Sequence, residues 1–252
     1  MRRAQSEITD IHKIVEVLAS ATIGRMASIG ADGYPYVTPV NFVYLDGCIY
    51  FHSAPVGEKL ENIAREPRVC FEVDVPLAYL DANFEPDRRG CKVHQFYHCV
   101  VIRGEASVVP DGSLKTAALN ALVTKHERGV QLEPVTEDLP AYRACRVVQI
   151  RPKSISAKSD MAQNRSAEER LARARYLQLR NAPIDMVAER IESAFIQQND
   201  KQKTDRGGTQ APCRNNQDFL FFCSSFRQKL PREPIVSDFS SKRACRESYF
   251  SL

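Results

Sequence analysis

The residue pattern predicts a mainly β chain with flanking helices, arranged as an antiparallel barrel and followed by a helical extension and a tail. Three observations carry that expectation. Strand-like runs recur between residues 22 and 151, hairpin-length turns join them, and the helices among them are short. A doubly wound parallel sheet would instead need a long crossover after each strand.

The elements follow in order. Thr9 is expected to cap a first helix, because Ile11, Ile14, Val15 and Leu18 recur at amphipathic spacing. A strand over 22–29 follows, then a hairpin turn at Ala31-Asp32-Gly33. The next strand, 34–44, is interrupted by Pro35 and Pro39. Proline cannot donate to a ladder, so Pro39 marks a sheet edge, a bulge or a place where something other than a strand lies alongside. Asp46-Gly47 turns into a strand over 48–53, and a helix over 59–66 stops before Pro67. A strand over 68–75, a polar loop over 76–95 and a strand over 95–109 with a bulge at Gly104 come next. A helix over 114–125 and a last strand over 145–151 complete the barrel.

After Pro152, charged helix-favouring segments over 166–179 and 184–197 flank Asn181-Ala182-Pro183 and are expected to form a helical hairpin. Residues 200–252 lack periodicity and are expected to be disordered apart from an apolar island at 219–226. The expected divisions are 5–158 for the barrel, 159–199 for the helical extension and 200–252 for the tail.

Composition narrows the function classes. A chain of 252 residues with 43% hydrophobic content holds one sizeable core, or one core and an appendage. It has no run of about 18 apolar residues, so no membrane helix is expected, and its first residues lack the apolar stretch of a secretory signal. The net charge of +4 belongs to the tail: from Lys201 onward ten Lys and Arg face five Asp and Glu, leaving −1 for residues 1–200. A nucleic-acid-binding face is therefore not expected. The eight cysteines never form a Cys-x-x-Cys pair and suit reduced thiols in the cytosol.

Chemistry concentrates where the strand over 48–53 hands over to its helix. His52, Ser53 and Lys59 bracket that junction, and Gly57 allows close backbone approach. A helix N-terminus favours anions, so Lys59 in the first turn is misplaced unless it faces a negative partner. An ordinary solvated lysine and a strand histidine facing water would fit the spacing as well. Further along, Cys91, His94, His98 and Cys99 have a loosely zinc-like spacing. On a strand, however, His98 and Cys99 point to opposite faces, so no metal site is expected.

Five segments taken together, 25–27, 35–42, 50–54, 57–59 and 67–71, resemble the FMN-binding split barrel of the pyridoxamine 5′-phosphate oxidase-like proteins, most of all its 5-nitroimidazole reductase branch. They read Arg-x-Ala, Pro-Tyr-Val-x-Pro-x-Asn-Phe, Tyr-Phe-His-Ser-Ala, Gly-x-Lys and Pro-Arg-Val-x-Phe. The resemblance spans about residues 5 to 160. It implies FMN at a homodimer interface, with Lys59, Ser53 and loop amides clamping the phosphate. Thr38, Pro39, Val40 and Asn41 would line the ribityl chain and ring, with Phe42 beneath and Phe51 and His52 on the matching strand. Asn41 is the discriminating residue, since an amide buried between apolar neighbours must find partners. His52 would deliver a proton to a bound acceptor. Cys99 would stand near the flavin, although Tyr97-His98-Cys99 departs from the Tyr-Arg-Ser of the branch.

The implied activity is reduction of nitroaromatic or other small oxidised acceptors. With no Rossmann glycine fingerprint, NADH or NADPH would bind transiently as donor. Oxidation of pyridoxamine phosphate itself is less favoured, since only Arg146 and Arg151 offer a basic pair near the end of the barrel. Two other classes stay open. One is a haem protein on the same barrel, with His94, His98 or His126 as ligand. The other is a non-catalytic flavin-binding or regulatory module whose helical segment and basic tail recruit a partner.

Overall fold

A computed structural model describes residues 4–180. The second segment of the expected helical hairpin and the expected tail lie outside the described residues. The chain forms β1 (Glu7–Ile8), α1 (Ile11–Ser20), β2 (Ile23–Ile29), β3 (Pro35–Asn41), β4 (Val43–Leu45), β5 (Cys48–Ser53), α2 (Glu58–Arg65), β6 (Arg68–Leu80), β7 (His94–Val109), α3 (Ser113–His126), α4 (Pro140–Ala144), β8 (Arg146–Asp160) and α5 (Ala167–Arg180).

Every strand pair is antiparallel, in the order β3-β2-β6-β7-β8-β5-β4, with β1 added to β8. β3 and β4 thus end opposite margins of the sheet, yet Phe42 alone separates them in sequence. One residue reaches from one margin to the other only if the sheet curls round on itself, so the sheet is a barrel with a seam at Phe42. This is the mainly β antiparallel barrel that the residue pattern leads one to expect, and the split barrel that the resemblance implies.

Strand alternation fills the barrel. Met26, Phe71, Val73, Val100, Ile102, Ile49, Phe51, Val148 and Ile150 share one buried core with Ile14, Val17 and Leu18 of α1. Gly24 is required by packing: a Cβ there would lie 2.1 Å from the Phe71 ring. Gly104 likewise sits 2.3 Å, measured from its would-be Cβ, from the Arg151 carbonyl, where the β7–β8 register shifts as expected of a bulge. On the outer face of β4, β5 and β8, a second core of Val43, Tyr50, Val147, Leu119, Leu122 and Tyr142 seats α3 and α4.

Four expectations on elements are corrected. The strand expected over 34–44 is two strands, β3 and β4, because the chain leaves one margin of the sheet at Phe42 and joins the other. The cap of α1 is Asp10, not Thr9, because the Asp10 carboxylate accepts from the His12 amide at 2.9 Å. β6 runs on to Leu80, so the loop expected over 76–95 is shorter. A register shift at Pro76 absorbs the proline's missing donor. β8 likewise extends to Asp160. The extended ends of β6, β7 and β8 stay ordered because α5 covers them, burying Leu77, Leu80, Phe96, Met161, Ala174 and Leu177.

Candidate active site

α2 begins at Gly57, whose φ of 131° is left-handed backbone that glycine alone adopts readily, and no side chain caps its first amides. Lys59 therefore enters a first turn that already carries Glu58 and Glu61. Its Nζ lies 5.4 Å from the centroid of the buried Phe51 ring, and burial lowers its pKa from the ordinary lysine value. Lys59 joins no ion pair or hydrogen bond among the described residues. A half-buried cation without a counter-charge costs free energy until an anion arrives.

Next to it on β5, His52 points outward and is exposed, while Phe51 and Ser53 are buried on the opposite face. Partial desolvation by the residues around its ring, then the charges of Lys59 and His126, lower the His52 pKa from its ordinary value. α2, β5 and α3 thus bring Lys59, His52 and His126 into one basic corner. His126 entered the sequence reading only as a haem-ligand candidate. Its link to this corner is a contact with Phe42, 84 residues away, which leaves no local signal in the sequence.

The segment 38–42 divides by alternation. Val40 is buried, and Thr38 keeps a shielded Oγ1 with no hydrogen-bond partner. Pro39 and Asn41 are exposed on the outer face. The inference from a buried Asn41 amide is corrected: the side chain meets solvent, so it carries no buried polar cost. β3 is an edge strand paired only with β2, which tolerates Pro39 without a ligand. Phe42 is fully buried, edge-on to Phe71 at 5.0 Å.

Cys99 stands elsewhere on the barrel, outward on β7. Its Sγ lies 3.5 Å from the Glu72 carboxylate, and burial with that charge pushes the thiol up to about 11. Arg25 pairs with both Glu72 and Asp74 beside it. Two carboxylates make this strip a poor seat for a phosphate. His98 and Cys99 face opposite sides, as alternation requires. Burial pushes His98 down to about 4, and His94 Nε2 lies 3.2 Å from Asp160. Among the described residues no group of three or more His, Cys, Asp or Glu is placed to hold a metal ion, and no helix is long and apolar enough to cross a membrane.

Against known proteins, residues 10–159 match the family described as pyridoxamine 5′-phosphate oxidase. Over 105 residues the chain is 31% identical to a 5a,11a-dehydrotetracycline/5a,11a-dehydrooxytetracycline reductase of Streptomyces rimosus, a match covering 40% of this chain and 64% of that protein. The chain therefore spans under two thirds of the length of that curated relative.

Among solved structures, it is similar to a putative 5-nitroimidazole antibiotic resistance protein of Bacteroides thetaiotaomicron, with a TM-score of 0.51 and 22% identity over 61% of this chain and 86% of the other. It is also similar to an FAD and heme binding protein of Mycobacterium smegmatis, with a TM-score of 0.54 and 17% identity over 66% and 79% of the two chains. These two likenesses speak to the fold. With the split barrel, its seam at Phe42 and a match running from the start of α1 through nearly all of β8, the chain belongs to the pyridoxamine 5′-phosphate oxidase family of flavin-binding, oxidoreductase-like proteins.

Proposed function

We propose that the chain is an FMN-dependent oxidoreductase that reduces a small oxidised acceptor, a nitroaromatic or a compound of similar size. The observation that carries this reading is Lys59, a half-buried cation with no ion pair or hydrogen bond among the described residues, beside an uncapped helix start. A phosphate monoester supplies the missing charge and accepts from the free amides. The residues fit that group: Lys59 and the Gly57 turn would hold the phosphate, with His52 beside it.

Bound FMN supplies the two-electron chemistry. The chain's own work is placement and proton handling. Without an anion, partial desolvation and the charges of Lys59 and His126 lower the His52 pKa from its ordinary value. With a phosphate held at Lys59, part of that repulsion would be offset and the His52 pKa would rise. His52, exposed at the end of β5, then has a proton to give to an acceptor that has gained electrons. The donor would be NADH or NADPH, bound transiently.

A homodimer is the proposed assembly. The outer face of the β2–β3 hairpin leaves Ile23 49% and Val37 55% exposed, with Ile29 and Pro39 beside them, which supports a second copy covering that face. The five described cysteines are free thiols, in keeping with the reducing cytosol as the proposed compartment.

An absorption spectrum of the purified protein, followed by anaerobic titration with NADH and NADPH, tests the reading. Flavin bands that bleach with either donor support it. Flavin that no donor bleaches would favour the non-catalytic module, and a Soret band without flavin would favour the haem protein.

A further inference from the structure

The seam of the barrel is gripped twice by the last turn of α3. Lys125 Nζ sits 3.5 Å from the centroid of the Phe42 ring, and His126 Nε2 lies 3.2 Å from the Phe42 carbonyl oxygen. A carbonyl only accepts, so His126 Nε2 carries the hydrogen and donates. Phe42 has no cross-strand partner: the β2–β3 register ends at Asn41 and the β4–β5 register begins at Val43. The imidazole therefore supplies a bond that the ladders leave unmade.

The grip is itself anchored. Lys125 Nζ donates to the Leu18 carbonyl at 3.0 Å, and Arg128 Nη2 donates to the Ala19 carbonyl at 3.3 Å, tying the end of α3 to the end of α1. α1 has no basic residue in its own last turn, so Lys125 of α3 and Arg128 just beyond it provide the donors. β3, by contrast, is held on one side only, by β2. Its free edge is thus located by β2 and by the Phe42 corner.

Resting on the flavin reading above, we infer that His126 is the positioning residue for segment 38–42: by holding the Phe42 carbonyl it sets where the edge of β3 lies under the flavin ring. It does so without touching the phosphate. Lys59 and His126 therefore have separable signatures. Losing Lys59 weakens FMN and spares riboflavin, which has no phosphate. Losing His126 weakens both flavins by the same factor, because the ring and ribityl chain are common to both.

The test measures FMN and riboflavin dissociation constants by flavin fluorescence for the unaltered chain, His126→Ala, His126→Gln and Lys59→Ala, with thermal unfolding alongside. His126→Ala is expected to weaken both flavins about tenfold, the equivalent of one hydrogen bond. Glutamine, whose amide reaches as far as Nε2, is expected to restore both to within about twofold of the original. If His126→Ala does not fold, His126→Asn, with an amide too short to reach the carbonyl, takes its place.

Unchanged affinities in the alanine or asparagine variant overturn the inference. So does loss of FMN alone, which would make His126 a phosphate ligand, and so does a folded glutamine variant that fails to rescue. If the unaltered chain binds neither flavin, the reading under Proposed function falls and takes this one with it. If it binds both and only His126 proves silent, that reading stands.

Discussion

Two lysines of this barrel are best read side by side. Lys115 on α3 is fully buried, yet its ammonium donates to Asp111 at 2.8 Å, to the Tyr142 carbonyl at 2.7 Å and to the Cys145 carbonyl at 2.9 Å, with the Tyr142 ring at 4.2 Å. All three ammonium hydrogens are spent, and the side chain pins the end of α4 and the start of β8 against α3. Lys59 on α2 is only half-buried, yet it has the Phe51 ring on one side and no counter-charge among the described residues. Depth of burial alone does not make a cation a candidate for ligand binding; an unmet demand for a counter-charge does.

The largest expected effect breaks the Lys115 side. Lys115→Met keeps the packing but takes the ammonium from the Tyr142 and Cys145 carbonyls, leaving the first only the weak Cys145 thiol, and a buried acceptor left short of a donor costs about 1–3 kcal/mol. Chemical denaturation is therefore expected to show a loss of roughly 2–4 kcal/mol. A loss below about 0.5 kcal/mol would mean that water replaces the ammonium and the contrast is hollow.

Next in size is Lys59→Ala, expected to leave stability within about 0.5 kcal/mol while weakening FMN by roughly 10–100-fold. A variant that keeps FMN but loses stability would invert the roles of the two lysines.

The smallest effect sharpens the contrast through pH. Burial pulls Lys125 from 10.5 down to about 8. Between those values the unfolded chain binds more protons than the folded one, so this group makes stability rise with pH from about 8 to 10.5. Below about 8 its penalty is present in full. Cys99 opposes it, because a thiol raised from 9.0 to about 11 makes stability fall over that window. Subtracting the urea-denaturation pH profile of Lys125→Met from that of the original chain isolates the lysine. A flat or falling difference from pH 8 to 10.5 would contradict the burial of Lys125.

What was legible in the residues follows the strength of local signals. The run from β2 to the start of β6 was readable, apart from the break at Phe42, because hairpin turns at Asp32-Gly33 and Asp46-Gly47 punctuate alternating strands, and Pro67 ends α2. Gly104 announced its bulge. The far ends of β6 and β8 were not readable. Residues 76–80 include a proline, residues 152–160 are largely polar, and their order depends on α5 arriving from more distant sequence. At the candidate site, Lys59 and His52 were legible because the helix-start rule is broken locally. Asn41 misled because an apolar neighbour on each side says nothing about which face the residue itself occupies. His126 belongs to the site through a contact 84 residues away, which no local pattern encodes.

The one-residue seam at Phe42 also shapes how the barrel opens. Margins that in an ordinary sheet would fray independently are yoked here through a single buried ring. Peeling back β3 drags on β4, and loosening either exposes the same aromatic plug to solvent. Amide exchange at the two margins is therefore expected to share one protection level, so the edge nearest the candidate flavin is as durable as the fastening of that ring.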